Sequence, residues 1–368
     1  MAGKMKKTGI LTFHCAHNYG AVLQAYATQE LLREAGYDVE VVDYRPDYLV
    51  APYSRMHASR FKGKDGKLSL RHVISEIILL PFRCVRYRLF EDFINNRLSL
   101  SERVTRESFR GEYETIVTGS DQVWNRQQTG GLFDPMYMFD FAFEKGARRY
   151  VADAVSMAVP DEGEDVTPLR NALMALDAVS AREPDAVSYL STLTSKPVAH
   201  VLDPVLQLSP DRWKTMVRQV NRKRPYILVY RLRDHVSIDH FVRELAEKRD
   251  ADVVEILAFP NARKLFKARQ AVSVEDFISL ISCADTVVTT SFHGAVFSTV
   301  FHRPFYTFSF GNGKDSRLAS LLGALGLDDR MLPLGASVPQ DTGCSFDTAE
   351  VALERLRRES ADFVLNSI

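Results

Sequence analysis

The sequence of 368 residues predicts an α/β protein with two domains, and three observations support this. A strand pattern at residues 8–13 precedes apolar residues at helical spacing over 21–35, and another strand pattern follows at 39–44. This strand, helix, strand order predicts a parallel sheet with functional loops at the carboxyl ends of its strands. After a basic, proline-containing segment at 222–225, the same alternation begins again at Tyr226.

These patterns define the expected domain boundaries. We expect an N-terminal domain at residues 1–220 with a basic helix inserted at about 68–95, and a C-terminal domain at 221–345. The last helical pattern, within 346–368, is expected to pack back on the N-terminal domain. The inserted helix mixes arginines with apolar residues, so it either packs between domains with a solvated basic face or lies on a membrane surface.

Composition excludes several classes of protein. The 47 Lys and Arg residues balance the 47 Asp and Glu residues, so nothing indicates a nucleic-acid partner. No long apolar run and no leader pattern are present, and we therefore expect a cytoplasmic protein. The four cysteines are scattered, and His14 with His17 lack further ligands nearby, so we expect no metal site.

The segment Thr290-Ser-Phe-His-Gly294 follows a predicted buried strand and opens an apolar helix. His293 is therefore expected at a helix N-terminus, where free backbone N–H groups favour an anion. There it could bind a phosphate or carboxylate, or exchange a proton with a substrate. The alternative is a core histidine whose ring nitrogen is satisfied internally.

Five motifs together resemble the polysaccharide pyruvyl transferase family, in the family's order and across residues 8 to about 330: residues 17–27, 119–125, 180–183, 203–204 and 290–294. The resemblance implies two Rossmann-like domains facing a cleft, in a GT-B-like architecture. It also implies transfer of a pyruvyl group from phosphoenolpyruvate to a sugar, which forms a ketal. Such a reaction needs no metal and no redox cofactor.

Carried onto this chain, the resemblance implies His293 as general acid or base and Arg182 as the clamp for the anionic donor. Protonation at C3 of the donor and positive charge at C2 suit these residue types. Asp121 could serve as a further base. The predicted substrate-binding residues near the first two motifs are Asn18, Tyr19, Gly20, Gln24, Ser120 and Trp124. Asn18 could instead only cap a helix, and Trp124 could be a core residue.

One position departs from the family pattern. Well-studied members often carry arginine two residues before the histidine, and this chain has Ser291 there. Ser291 and Gly294 are still predicted to bind substrate beside the catalytic candidate His293. Another cation could bind the donor in its place. The candidates lie in two loops expected at the carboxyl ends of strands, and they are Arg231, Arg233, Lys314 and Arg317.

The leading prediction is thus a cytoplasmic pyruvyl transferase acting on a saccharide intermediate of a surface polysaccharide, which could be lipid-linked. The basic helix could then give peripheral contact with the inner face of the membrane. One alternative is a GT-B glycosyltransferase that uses a nucleotide sugar. A second alternative is a non-catalytic member of the family that binds glycans or acts as a scaffold.

Overall fold

A computed structural model of the protein describes residues 7–62, 65–110, 112–140, 147–311 and 315–368. The chain divides into two compact units. The first unit contains the residues up to Tyr53, Phe93–Leu208 and Glu354–Ile368, and the second contains Ser54–Asp92 and Ser209–Leu353. Each unit is built on one parallel sheet, which confirms the predicted α/β class with two Rossmann-like domains.

The first unit holds a seven-stranded sheet. Its strands are β1 (Lys7–Leu11), β2 (Asp38–Tyr44), β3 (Leu100–Val104), β4 (Thr115–Thr118), β5 (Arg149–Val155), β6 (Ala178–Ala181) and β7 (Val198–His200). They lie in the order β3-β2-β1-β4-β5-β6-β7, and every pair is parallel. The order reverses between β1 and β4, whose last residues Leu11 and Thr118 are partners. In parallel α/β sheets, ligands bind at such a reversal, beyond the carboxyl ends of the strands.

The second unit holds a five-stranded parallel sheet. Its strands are β8 (Tyr226–Arg231), β9 (Asp252–Leu257), β10 (Thr286–Thr289), β11 (Phe305–Ser309) and β12 (Met331–Pro333). The order is β12-β11-β10-β8-β9, which reverses between β8 and β10. At the ends of these two strands, Thr289 pairs with Tyr230. This unit therefore has its own reversal point, at the segment that carries His293.

Helices connect the strands along the chain. They are α1 (Tyr19–Glu34), α2 (Asp47–Val50), α3 (Leu70–Arg97), α4 (Thr167–Ala175), α5 (Pro184–Ser191), α6 (Pro204–Gln207), α7 (Pro210–Lys214), α8 (Val236–Arg249), α9 (Val274–Ser282), α10 (Phe292–Val300), α11 (Ser316–Leu325) and α12 (Asp347–Ser367). Among the described residues, none of these helices combines the length and apolarity needed to cross a bilayer.

Apolar and aromatic side chains form the core of each unit. In the first unit, Leu11 of β1 and Val42 of β2 are fully buried, as their strand patterns predict. In the second, Phe241 of α8 packs edge-on against Tyr306 and Phe308 of β11, with ring centroids 5.2 Å apart in both pairs. Such edge-to-face contacts add about 0.5–1.5 kcal/mol per pair beyond the burial of the rings.

The C-terminal part of α12 packs in the first unit through a buried serine. Ser360 Oγ accepts a hydrogen bond of 2.9 Å from the backbone N–H of Leu202 and donates one of 2.7 Å to the carbonyl of Leu356. Nearby, Arg357 Nε donates to the carbonyl of Leu206 at 2.7 Å. Because a buried N–H without an acceptor is costly, the hydroxyl of Ser360 stabilises the packing of this end of the chain.

We expect Ser360→Ala to lower the free energy of unfolding by roughly 1–3 kcal/mol, because it leaves the Leu202 N–H buried without its acceptor. Ser188→Ala is the matched control, since Ser188 also donates to the carbonyl four residues earlier, at 2.9 Å, but is exposed. Urea unfolding of both variants measures the difference. Equal stabilities would show that the Ser360–Leu202 bond contributes nothing.

Candidate active site

In the first unit, two buried side chains, those of Thr12 and Gln24, join the loops that follow β1 and β4. Gln24 Nε2 donates to Thr12 Oγ1 at 2.8 Å, and Gln24 Oε1 accepts from the backbone N–H of Ser120 at 3.2 Å. Thr12 Oγ1 in turn donates to the carbonyl of Ser120 at 3.2 Å. Both ends of the Gln24 amide are therefore used inside the protein, which favours a structural role for Gln24 over substrate binding.

The start of α1 lies at the same end of the sheet. Asn18 is the N-cap residue, and its Oδ1 accepts from the backbone N–H of Gly20 at 2.9 Å. Asn18 is half-buried and Tyr19 is fully buried. This geometry fits the capping alternative for Asn18, and the binding of substrate by Asn18, Tyr19 and Gly20 stays a prediction.

The motif after β4 divides into a buried and a partly exposed part. Trp124 is buried, and its Nε1 donates to the carbonyl of Tyr137 at 3.0 Å. It fits the core alternative, because its ring face is not presented to a ligand. Asp121, in contrast, is half-buried with a left-handed backbone at φ 61°. Its Oδ1 lies 3.6 Å from Arg182 Nη2.

Arg182, directly after β6, lies in a cluster of carboxylates. It bonds to Asp203 through Nη1, and its Nε lies 3.2 Å from Glu183 Oε1. Its side chain is only 3% exposed. Burial alone would lower the pKa of Arg182, but the adjacent carboxylates outweigh this and raise that pKa. The guanidinium thus keeps its charge and already has its partners, which favours a positioning role over the predicted anion clamp.

Two carboxylates of this cluster, those of Asp203 and Glu183, each accept a further hydrogen bond. Asp203 is the N-cap of α6, and its Oδ1 accepts from the backbone N–H of Val205 at 3.0 Å. Ser156, just after β5, donates to Glu183 Oε1 at 2.6 Å. The cluster therefore connects the segments after β5, β6 and β7. Glu183 and Asp203 both lie within family motifs, but the motifs alone indicate no role for either residue.

Asp153 on β5 is a buried acid that sequence analysis missed. Its Oδ1 accepts a hydrogen bond of 3.1 Å from Ser180 Oγ of β6. The same serine Oγ accepts a hydrogen bond of 2.9 Å from the backbone N–H of Ala154. Burial raises the pKa of Asp153 to about 7, although the bond from Ser180 opposes this and the charge of Asp203 adds to it. Within the strand pattern, a single acid gives no signal of such surroundings.

In the second unit, two threonines join the loops that follow β8 and β10. Thr290 Oγ1 accepts from the backbone N–H groups of Leu232 at 2.9 Å and Arg233 at 3.1 Å. Thr289 Oγ1 donates to the carbonyl of Tyr230 at 2.6 Å and accepts from the backbone N–H of Ser291 at 3.0 Å. The backbone before His293 is thereby fixed against the end of β8.

The structure has His293 in the first turn of α10, as the sequence predicted. Ser291 is the N-cap residue, and its Oγ accepts from the backbone N–H of Gly294 at 3.4 Å. The ring of His293 meets that of Phe292 edge-on at a centroid distance of 5.2 Å, and His293 is 8% exposed. The first turn of a helix carries partial positive charge and favours a bound anion.

Gly294 is required by close packing and not by an unusual backbone angle. A Cβ at this position would lie 2.2 Å from Thr289 Oγ1. Both hydrogen bonds of that hydroxyl would have to move to make room. The glycine therefore allows α10 to begin directly against the end of β10.

The candidate cations of this unit differ in their surroundings. Arg231 contacts Glu255, Asp239 and Asp234 at 2.7–3.0 Å, and its side chain is 6% exposed. Arg233 pairs with Asp315, its Cζ lies 4.0 Å from the ring centroid of Phe310, and its side chain is 31% exposed. Arg233 is thus the better placed of the two to reach an anion.

The remaining two candidates lie beyond β11. Lys314 lies outside the described residues. Arg317 is half-buried in the first turn of α11. Asp315 had no signal in the sequence, and its Oδ2 accepts from the backbone N–H groups of Phe310 at 2.6 Å and Gly311 at 3.2 Å. Asp315 therefore holds both the backbone at Phe310 and Gly311 and the guanidinium of Arg233.

One protein-family model matches most of this chain. The family model described as polysaccharide pyruvyl transferase matches residues 18–312, a span that includes His293 and Arg182. The chain belongs to the polysaccharide pyruvyl transferase family. Among curated proteins, no relative matches this chain. Membership of this family indicates that the protein is a transferase. The family also implies a saccharide as acceptor and a donor of a pyruvyl group.

Solved structures give more distant likenesses. A putative UDP-N-acetylglucosamine 2-epimerase from Listeria monocytogenes is 12% identical, with a TM-score of 0.45 over 99% of this chain and 92% of its own. UDP-GlcNAc 2-epimerase from Methanocaldococcus jannaschii, in complex with UDP-GlcNAc and UDP, gives 11% identity and a TM-score of 0.44 over 96% and 99%. The glycosyltransferase SnogD from Streptomyces nogalater gives 12% identity and 0.42 over 98% and 96%. These likenesses are too distant to bear on substrate or activity.

Asp153 gives a prediction about stability and pH. The folded protein holds the Asp153 proton up to about pH 7, whereas the unfolded chain releases it near pH 3.8, so stability falls as the pH rises between these values. Asp153→Asn cannot ionise. Relative to wild type, its free energy of unfolding is expected to increase by roughly 2–3 kcal/mol between about pH 5 and about pH 8.

Urea unfolding at both pH values measures this change. Asp362→Asn, an exposed change on α12, is the control and is expected to follow the wild type. A difference between wild type and Asp153→Asn that does not vary with pH would exclude the raised pKa of Asp153.

Gly294→Ala is expected to destabilise the protein by about 1–3 kcal/mol, because the new methyl group would overlap the hydroxyl of Thr289. Gly323→Ala is the matched control within α11, where the nearest atom is a carboxylate oxygen of Asp328, 3.2 Å away. There alanine should be neutral or stabilising by up to about 1 kcal/mol. Thermal unfolding of the two variants compares them, and a Gly294→Ala protein as stable as wild type would contradict the close approach.

Proposed function

We propose that this protein transfers a pyruvyl group from phosphoenolpyruvate to a saccharide and forms a pyruvate ketal during surface polysaccharide biosynthesis. The observation that carries the proposal is His293 in the first turn of α10, at the strand-order reversal of the second sheet. A titratable imidazole in the first turn of a helix, where the backbone carries partial positive charge, suits an anionic donor that must receive a proton. The family match across residues 18–312 supports the same chemistry.

The reaction joins two sugar hydroxyls to one carbon of the donor, first by addition and then by substitution. A first sugar hydroxyl forms a bond to C2 of phosphoenolpyruvate and loses its proton, while C3 gains a proton. A second hydroxyl then bonds to C2 and loses its proton as the C2–O bond to phosphate breaks, which releases inorganic phosphate. One residue that alternates between acid and base can serve both steps. We assign this role to His293.

Arg233 is our candidate for the cation that binds the donor. Its backbone N–H is fixed by Thr290, one residue before the N-cap Ser291, so the two loops are held together. Its guanidinium pairs with Asp315 and its side chain is 31% exposed, whereas the side chain of Arg231 is 6% exposed and contacts Glu255, Asp239 and Asp234. A guanidinium can bind a phosphate or carboxylate through two hydrogen bonds. Arg233 would thus supply the charge that Ser291 does not.

The carboxylate cluster of the first unit has a different role in this proposal. Arg182 orients Asp121, a half-buried carboxylate partner, for contact with a sugar hydroxyl. A carboxylate is a suitable acceptor for such a hydroxyl. Arg182 therefore acts as a positioning residue through Asp121. The acceptor is a saccharide, which could be lipid-linked, and the reaction would occur in the cytoplasm.

The first test is isothermal titration of phosphoenolpyruvate into wild type and three variants. Wild type is expected to bind, and Arg233→Ala to bind at least about tenfold more weakly, equivalent to about 1.4 kcal/mol. His293→Ala should bind within a few-fold of wild type. Arg224→Ala, whose side chain is 54% exposed and pairs with Asp250, is the control and should bind as wild type does.

Turnover is followed as release of inorganic phosphate with a panel of saccharides that carry neighbouring free hydroxyls. His293→Ala should lose release while it keeps donor binding, and this separates catalysis from binding. Arg182→Ala is expected to lower stability by about 3–5 kcal/mol, because it leaves buried carboxylates without a counter-charge. Binding of a nucleotide diphosphate, with none of phosphoenolpyruvate, would overturn the proposal in favour of a nucleotide-sugar glycosyltransferase.

A further inference from the structure

Helix α3 carries a row of exposed apolar side chains, which we call the α3 stripe. Its members are 41–75% exposed, and they are Leu70, Ile74, Ile77, Ile78 and Val85. At 100° per residue these positions fall within about a third of the helix circumference, and they extend for about 22 Å along its axis. A contiguous exposed apolar surface of this kind marks an interaction site.

The opposite face of α3 already packs in the protein. Leu79 and Phe90 are buried there, and the guanidinium carbon of the buried Arg86 lies 4.5 Å from the ring centroid of Phe90. The one acid in the first half of the helix, Glu76, lies away from the stripe and binds Arg83 at 2.7 Å. The stripe is therefore not needed to hold the helix in place.

The surroundings of the stripe are basic. Residues 54–92 contain nine Lys and Arg against four Asp and Glu, whereas the whole chain is balanced at 47 of each. Several of these cations are exposed on α3 or on the segment before it, namely Arg55, Lys62, Lys67, Arg71 and Arg88. Apolar side chains flanked by cations are the pattern of a helix that lies in the surface layer of an anionic membrane.

A groove of about 330 Å³ adjoins the C-terminal end of the stripe. Its lining consists of Arg55, Cys84, Val85, Tyr87, Arg88 and Glu91. The guanidinium carbon of Arg55 lies 4.5 Å from the ring centroid of Tyr87. Two guanidinium groups beside apolar side chains fit a phosphate whose attached chains continue onto the stripe.

We infer that the α3 stripe binds the surface of a membrane that contains anionic phospholipids. The charge of the segment decides against a second copy of this chain, because a twofold contact would bring two basic segments together. Insertion of the apolar side chains and attraction of the cations to the lipid phosphates would act together. This inference does not depend on the proposed pyruvyl transfer.

The cysteines provide a site-specific test. Cys84 lies on the same side of α3 as the stripe, and Cys283, after α9, is also exposed. A polarity-sensitive fluorophore on Cys84, in a Cys283→Ser/Cys344→Ser protein, is expected to shift to the blue on vesicles of phosphatidylglycerol and phosphatidylcholine. With phosphatidylcholine alone the shift should be lost or much smaller. The same fluorophore on Cys283, in a Cys84→Ser/Cys344→Ser protein, should not respond.

Vesicle sedimentation of the full chain tests the stripe itself. Ile74→Asp/Ile77→Asp should weaken binding to the anionic vesicles at least about tenfold, since it removes two inserting side chains and adds negative charge. Val236→Asp/Val351→Asp is the matched control, because these valines are 65% and 73% exposed outside α3, and it should bind as wild type does. Added salt should weaken wild-type binding.

Three results would overturn the inference. The first is a wild-type protein that does not sediment with anionic vesicles, and the second is an equal fluorescence shift at Cys283 and Cys84. The third is a dimer in lipid-free solution that Ile74→Asp/Ile77→Asp converts to a monomer, which would assign the stripe to a second copy of the chain.

Discussion

The divergence of neighbouring parallel strands is the constraint on which both candidate sites depend. Where β1 separates from β4, and β8 from β10, backbone groups lose their ladder partners and need others. In this chain the replacements are hydroxyls and an amide: Thr12 with Gln24 in the first unit, and Thr289 with Thr290 in the second. Because these side chains are buried and their polar atoms are hydrogen-bonded within the protein, the residues beside them are held in fixed positions, as catalysis requires.

Charge is the second organising element of the first unit. One guanidinium, that of Arg182, contacts the carboxylates of Asp121, Glu183 and Asp203, and each carboxylate accepts a further hydrogen bond. Such a buried network is weak as a source of stability but specific in geometry, because removal of any one member leaves the others without compensation. Asp121 lies at the edge of this network and is therefore held in a defined orientation.

Local patterns were enough to predict several elements and failed for others. The β1-α1-β2 unit and the turn at His293 follow from periodicity and capping residues within a few positions. Strand β3, Leu-Ser-Glu-Arg-Val, was missed because it is a half-exposed edge strand without an apolar signal. The order of the strands, the carboxylates around Arg182 and the burial of Trp124 depend on residues far apart in the chain, and no short pattern encodes them. The family motifs predicted where chemistry lies, but not which members of each motif face a ligand.

Ser291 illustrates how one position can serve either folding or binding. Its hydroxyl begins α10 by capping the helix, a contribution of about 1 kcal/mol that an arginine side chain would not make. A family member with arginine there would exchange helix stability for a local positive charge, while a chain with serine must take that charge from another loop. In one motif variant the turn at position 291 supplies the positive charge itself, and in the other it caps the helix while a neighbouring loop supplies the charge. In evolution, a change at 291 would then be expected to occur together with changes in the loop that contains Arg233.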